Sequence, residues 1–136
     1  MFGGYRIKEV TIKASNDVGS LASIAETLGA VGVNIEAISA YGLDGKAIFR
    51  IITSDIRTTA KALSKVPGLE VSEADVIVYK MMNRPGELGK ITRKLANKGI
   101  NLESLYIASR KNDFTEVAIR PAQEDMERTM EILDMK

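Results

Sequence analysis

Two six-residue segments combine polar side chains with a glycine in a pattern that suits the binding of a small charged molecule. They are Asn16-Asp17-Val18-Gly19-Ser20-Leu21 and Asn83-Arg84-Pro85-Gly86-Glu87-Leu88. Each lies between residues with strand periodicity and residues with helical periodicity, so each is expected to form a loop that ends at a helix N-terminus. Unpaired N–H groups and the helix dipole favour a carboxylate there. A glycine in such a loop lets a ligand approach the backbone.

A second asparagine follows each segment, in Gly32-Val33-Asn34-Ile35 and Gly99-Ile100-Asn101-Leu102. An asparagine side chain both donates and accepts hydrogen bonds without carrying charge, so it suits both ends of a zwitterion. We therefore expect Asn16 and Asn34 to bracket one zwitterionic ligand, and Asn83 and Asn101 to bracket another. The candidate ligand-binding residues are Asn16, Asp17, Val18, Gly19, Leu21, Asn34 and Ile35, and Asn83, Arg84, Pro85, Gly86, Glu87, Leu88, Asn101 and Leu102.

Structural roles compete with binding at these positions. A turn asparagine is also a common helix cap, and Gly32 and Gly99 suit the end of a helix. An exposed loop arginine such as Arg84 is usually solvated rather than bound to a ligand. Asp17 aligns with Arg84 and has the opposite charge, so the two sites are expected to differ in ligand, or one to be empty.

The two segments belong to a longer internal repeat. At an offset of 67 residues, Ile24 aligns with Ile91 and Leu28 with Leu95 without a gap. The offset grows later only in predicted turns, where insertions are tolerated. The chain is therefore predicted to contain two copies of one unit, which we place at residues 1–73 and 74–136.

Each copy predicts strands and helices in the order βαββαβ. In the first copy, residues 10–14 alternate as in a strand, and the apolar residues of 21–28 have helical spacing. A hairpin at 33–39 and 47–53, a helix at 56–63 and a strand at 69–71 follow. Helices on one face of an antiparallel sheet describe a ferredoxin-like sandwich. The predicted fold is therefore α+β, with two such units in tandem.

Features of the predicted sheets require a partner surface. Ile48 and Ile52 lie on the opposite face of their strand from Phe49 and Ile51, so both faces carry apolar groups. The second copy shows no obvious final strand, which leaves a sheet edge open for another segment or subunit. Because units of about 70 residues have small cores, we expect a homodimer or a higher homo-oligomer.

Composition narrows the classes of function. The chain has no histidine and no cysteine, so the commonest acid–base group and the usual transition-metal ligands are missing. We expect neither an enzyme nor a bound metal or cofactor. A net charge of +1 with interspersed charges argues against a nucleic-acid partner. No apolar segment is long enough to span a membrane and no export signal is recognisable, so we expect a cytoplasmic protein that is not bound to membranes.

The paired motifs resemble those of the ACT domain, a regulatory amino-acid-binding module of biosynthetic enzymes and transcription regulators. The resemblance covers nearly the whole chain and is strongest to free-standing tandem ACT proteins, although the first copy has Val18 where the family usually has proline. It implies an amino-acid ligand held at interfaces between ACT domains. It also implies a bound ligand that controls assembly or a partner enzyme of amino-acid metabolism.

Alternative functions remain open from sequence. The regulatory small subunit of a biosynthetic enzyme such as acetolactate synthase has similar motifs. RNA-recognition modules share the βαββαβ order, but they stack bases on exposed aromatic side chains, and aromatics make up only 5% of this chain. Acylphosphatases show that the same fold can carry an enzyme, but the sequence offers no cluster that would position a nucleophile or water.

Overall fold

A computed structural model describes residues 3–135 of the chain. Met1, Phe2 and Lys136, at the outer ends of the two predicted domains, lie outside the described residues. The elements are β1 Gly4–Ser15, α1 Ser20–Ala30, β2 Ile35–Leu43, β3 Lys46–Thr53, α2 Ile56–Leu63, β4 Glu70–Met82, α3 Glu87–Asn97, β5 Leu102–Arg110, β6 Phe114–Pro121, a 3-10 turn at Gln123–Asp125, and α4 Met126–Ile132. The α+β prediction is confirmed.

The chain forms two compact units, and the long strands β1 and β4 each contribute to both. The N-terminal unit is Lys8–Ala74, and the C-terminal unit joins the residues up to Ile7 to those from Asp75 onward. The strand order is β2-β3-β1-β4 in the N-terminal unit and β1-β4-β6-β5 in the C-terminal unit. Register assignments show that β3 is antiparallel to β1 and β2, and β6 to β4 and β5.

The core of the N-terminal unit lies between α1, α2 and one face of the sheet. Ile24 and Leu28 of α1 pack with Ile12 and Ile51 of the strands, and all four are at most 1% exposed. Ile24 and Leu28, two of the apolar residues with helical spacing, therefore form the buried face of α1, whereas Leu21 is 39% exposed. The helix ends before Gly32, whose φ of +77° is a left-handed conformation that glycine adopts without strain.

The C-terminal unit repeats this arrangement with α3 and α4. Ile91 and Leu95 of α3 pack with Ile77 and Ile119 of the strands. Leu28 and Leu95, aligned by the repeat, are the most deeply buried residues of their helices. The duplicated sequence thus gives two separate cores of the same design.

The start of β1 supplies the strand that the second copy lacks. Within the C-terminal unit, the amide of Lys80 donates to the carbonyl of Gly3 at 2.7 Å, and the guanidinium of Arg6 donates to Asp75 at 2.6 Å and to Glu127 at 2.8 Å. A Cβ on Gly4 would lie 2.7 Å from the carbonyl oxygen of Val78. The fourth strand of this unit therefore comes from the beginning of the chain, so the unit is not βαββαβ in sequence order.

Both faces of β3 are buried, as its sequence indicates. Phe49 and Ile51 belong to the core of the N-terminal unit. Ile48 and Ile52 on the opposite face are only 6% and 5% exposed. The face that the sequence predicts to need a partner surface is therefore buried.

Candidate functional site

A hollow with a volume of about 550 Å³ opens on the N-terminal unit where β1 ends and α1 begins. Four of the predicted ligand-binding residues line it, namely Asn16, Asp17, Gly19 and Leu21. The rest of its lining is Ser20, Ala22, Ala40, Tyr41, Gly42, Ala47 and Phe49. The hollow thus combines one carboxylate, a few neutral polar groups and an apolar floor.

Helix α1 presents its N-terminus to this hollow. Gly19 precedes the helix with a φ of +93°, and no side chain of the described residues caps the helix start. The first turn also contains no acidic residue. Ser20 and Ser23 donate backbone hydrogen bonds to Asp17 and Gly19, whereas Leu21 and Ala22 line the hollow. Because the first N–H groups of a helix lack intrahelical acceptors, this end favours an anionic group.

Small residues on the facing strands open the floor of the hollow. Gly42 of β2 is paired with Ala47 of β3, and Ala40 with Phe49. A Cβ on Gly42 would lie 3.1 Å from the side-chain nitrogen of Asn16. Glycine at position 42 therefore leaves the room that the Asn16 side chain occupies. These strand positions were not among the predicted site residues, although their small size is visible in the sequence.

Tyr41 borders the hollow and is held by a polar cluster on the sheet. The Arg50 guanidinium donates to the Tyr41 hydroxyl at 3.3 Å and to the Thr11 hydroxyl at 3.2 Å, and it lies 3.5 Å from the buried carboxylate of Glu9. Partial burial acts to lower the pKa of Arg50, but its interactions with Tyr41 and Glu9 outweigh that effect and raise the pKa. Arg50 therefore stays charged, and it holds the Tyr41 side chain on the face of the sheet opposite Ala47 and Phe49.

The equivalent loop of the C-terminal unit makes hydrogen bonds to its own unit. The side-chain nitrogen of Asn83 donates to the Lys111 carbonyl at 2.8 Å, and its backbone amide donates to the Asp113 carbonyl at 3.1 Å. Arg84 donates to the Glu87 carboxylate at 2.9 Å, and the Lys90 ammonium lies 3.2 Å from it. These bonds lower the pKa of Glu87.

The later asparagines lie at the opposite end of each sheet from the loop asparagines. In the N-terminal unit, the Asn34 amide donates to the Ser54 hydroxyl at 3.0 Å, close to where Ile35 pairs with Thr53. Asn16 lies near the other end of β3, where its amide bonds to Gly45. At about 3.3 Å per strand residue, the two ends of β3 are roughly 23 Å apart. The prediction that both asparagines of one copy bracket a small ligand is therefore wrong.

The same separation holds in the C-terminal unit. Leu102 pairs with Pro121 at one end of the sheet, whereas Arg110 pairs with Thr115 at the end nearer to Asn83. Asn101 precedes Leu102 and so lies at the far end. The order β-α-β makes the strands before and after the helix parallel, so the start of one lies far from the end of the other.

The remaining predicted site residues have varied surroundings. Ile35 and Leu102 pack against the two hydrophobic cores, so a structural role accounts for them. Val18 is fully exposed at the tip of its loop, and Leu88 is 37% exposed on α3. Pro85 lies in the turn before Gly86, which precedes α3 with a φ of +89°. Ligand contacts of these residues stay predictions.

One protein-family model matches most of the second copy. Residues 76–134 match the model of the ACT domain. This segment is similar to the ACT domain over that length. The resemblance read from Asn83-Arg84-Pro85-Gly86 and Gly99-Ile100-Asn101-Leu102 is thereby confirmed.

Solved structures extend the likeness over both copies. Protein BT0572 from Bacteroides thetaiotaomicron has 28% sequence identity and a TM-score of 0.86, with 96% of this chain and 88% of that chain covered. The regulatory subunit of aspartate kinase from Thermus thermophilus has 15% identity and a TM-score of 0.69, with 98% and 92% covered. Aspartokinase alpha and beta subunits have 19% identity and a TM-score of 0.64, with 96% and 94% covered. The latter two show the fold alone. No curated protein matches the sequence.

Between residues 3 and 135, no group of three or more His, Cys, Asp or Glu side chains could hold a metal ion. None of the described helices is long and apolar enough to cross a membrane.

Proposed function

We propose that this protein is a regulator that binds a free amino acid in the hollow of the N-terminal unit. The observation that carries the proposal is the hollow itself, where an uncapped helix N-terminus, a carboxylate and an apolar floor lie around one space. These three features match the carboxylate, the ammonium and the side chain of an amino acid. The ACT domain in the second copy supports the same class of ligand.

Each group of the ligand has a partner of suitable chemistry. The ligand carboxylate binds the N–H groups at the start of α1, where the helix dipole is favourable. The ammonium lies near Asp17, which is the charged residue of the lining, and Asn16 accepts or donates as required. Ala47 and Phe49, both 5% exposed, form the floor for an apolar side chain. Hydrophobic contact and charge pairing together select an amino acid over a simple anion.

Regulation follows from the position of the hollow at a sheet edge. Among the described strands, β2 has only β3 as a neighbour, and Ala40, Tyr41 and Gly42 of β2 line the hollow. A second copy that adds along β2 closes the open side of the hollow, so a bound amino acid contacts both copies. The ligand then stabilises the assembled form over the free form, which is the differential affinity that regulation requires.

The target of regulation is an enzyme of amino-acid metabolism. The structure from Thermus thermophilus is named as a regulatory subunit of aspartate kinase, and this chain covers 92% of it. Two repeats with the same fold can act in the same way and report the level of an amino acid to an enzyme. Affinity purification from the native cell, with and without the amino acid that binds, tests for such an enzyme.

Thermal denaturation with each of the twenty amino acids in turn tests the binding. We expect at least one of them to raise the melting temperature, because a ligand that binds only the folded state stabilises it. Gly42→Ala should remove the shift, because the new Cβ displaces the Asn16 side chain. Gly29→Ala is the matched control, since a Cβ on Gly29 meets nothing within 4 Å. No shift with any of the twenty would refute the proposal.

A further inference from the structure

We infer that each chain binds one amino acid, in the N-terminal unit, and that the equivalent loop of the ACT domain in the C-terminal unit is closed by its own contacts. The inference rests on the proposed function and adds that only one of the two aligned loops of each chain binds. The motifs alone would favour the second copy as the binding copy, because it has the complete Asn-x-Pro-Gly motif. We infer instead that the second copy does not bind.

The loop asparagines have different tasks in the two copies. The Asn83 side chain donates to the Lys111 carbonyl at 2.8 Å and so ties the loop to the β5–β6 hairpin. The aligned Asn16 lines the hollow, and its side-chain nitrogen lies beside Gly42. A ligand that recruited Asn83 would break an existing hydrogen bond, which offsets the bond it gains. A ligand that recruits Asn16 finds the side chain at the wall of an open space.

The helix N-termini differ in charge. Glu87 begins α3, so a carboxylate already stands in the first turn of this helix, held by Arg84 at 2.9 Å and Lys90 at 3.2 Å. This carboxylate already interacts with the N-terminal end of the helix dipole. In α1 the aligned residue is Ser20, and the first turn contains no acidic residue. The start of α1 therefore lacks the acidic side chain that Glu87 supplies at the start of α3.

The strand residues that face the two loops differ in size. In the N-terminal unit Gly42 pairs with Ala47, and at the same place in the C-terminal unit Arg110 pairs with Thr115. Paired residues of an antiparallel sheet lie on the same face, so the Arg110 side chain starts where Gly42 leaves space. The volume that forms the hollow in the first copy is therefore reduced in the second.

Nuclear magnetic resonance on the full chain with an equimolar mixture of the twenty amino acids tests the inference. We expect the backbone amide signals of Gly19, Ser20 and Gly42 to shift as the mixture is added. The signals of Gly86, Glu87 and Arg110, at the equivalent places, should stay unchanged. Shifts of equal size in both groups would overturn the inference while leaving the proposed function intact, and shifts confined to the second group would contradict both. No shift in either group would remove both.

A pair of matched variants gives an independent answer. Asn16→Ala should lower the affinity for the mixture at least tenfold, with little change in stability. Asn83→Ala should leave the affinity within about twofold and lower the melting temperature, because the Lys111 carbonyl loses its donor. The reverse pattern would place the site in the C-terminal unit. Equal losses of affinity in both variants would mean two sites per chain.

Discussion

Asp17 and Arg84 are aligned by the repeat, and the residues around each explain what it does. Arg84 has Glu87 as a partner at 2.9 Å and so belongs to an ion cluster on α3. Asp17 lines the hollow, and its carbonyl accepts from Ser20 while its carboxylate is exposed. The same position of the repeat thus stabilises the loop in the C-terminal unit, as Arg84, and is available to a ligand in the N-terminal unit, as Asp17.

Neutralising Asp17 tests its part in recognition. Asp17→Asn keeps the size of the side chain but removes the charge that attracts an ammonium. A hydrogen bond to a charged group contributes about 1.5–3 kcal/mol, so we expect roughly a tenfold loss of affinity at this exposed site. Calorimetric titration with the amino acid that gives the largest thermal shift measures it. Glu26→Gln, on the exposed surface of α1, should bind like the natural protein, and unchanged affinity in Asp17→Asn would exclude the ammonium contact.

Glu87 predicts a pH dependence of stability. Hydrogen bonds from Arg84 and Lys90 lower its pKa in the folded protein, so the folded state binds this proton more weakly than the unfolded state. The stabilisation is therefore fully present above the ordinary carboxyl pKa, and it is lost as the pH falls through the lowered pKa. Melting curves of the natural protein and Glu87→Gln should differ at neutral pH and converge in acid. A difference that persists in acid would rule out the ion cluster as its cause.

At the scale of elements, β1 is the strand on which both units depend. It has 12 residues, and its central and later residues enter the N-terminal core while its first residues lie beside β4 in the C-terminal unit. Gly4 allows the close approach, since a Cβ there would come within 2.7 Å of the Val78 carbonyl oxygen. Of the two glycines that precede the predicted strand, Gly4 is therefore required for close packing, whereas Gly3 is not.

Substituting the two glycines separately tests the role of this strand. Gly4→Ala should destabilise the protein by about 1–3 kcal/mol, the usual range for overpacking, because the new methyl group meets backbone atoms. Gly3→Ala should be nearly neutral, since a Cβ there meets nothing within 4 Å. Urea denaturation monitored by circular dichroism compares them. Equal stability of the two variants would show that the start of β1 does not pack on β4.

At the scale of the whole molecule, the edge strand β2 is the surface on which a second copy would add. Ile38, Tyr41 and Leu43 on this strand are 42%, 41% and 57% exposed. Edge strands of monomeric proteins usually carry charges that prevent pairing, whereas Glu36 is the one charged residue of β2. The edge is therefore suited to association, and the hollow lies beside it.

A lysine on this edge should weaken the assembly. We expect Ile38→Lys to shift the protein towards monomer in sedimentation velocity experiments, because an added charge on an edge strand opposes pairing. Val31→Lys, at a position 49% exposed after α1, adds the same charge away from the edge and should leave the distribution unchanged. Equal effects of the two variants, or none, would exclude β2 as the contact.

Much of the fold and part of the site were predictable from local sequence patterns. Alternation and helical spacing predicted most strands and helices, because these periods report which side of an element is buried, but they missed the strand that the start of the chain adds to the C-terminal unit. The repeat located both loops, and Asn16, Asp17, Gly19 and Leu21 do line a hollow. The residues of β2 and β3 that form its floor were missed, because small side chains signal space only once their neighbours are known.

The sequence alone determined the duplication, the α+β class and the two loops, since each depends on residues that are close along the chain. Only the tertiary structure decided which polar groups meet. It separated Asn16 from Asn34, because parallel strands joined through a helix put their starts and ends at opposite edges. It also brought Asn83 to Lys111 and the first strand to β4. Such contacts join residues that are far apart in the sequence. They depend on chain topology, which hydrophobic periodicity within one element does not reveal.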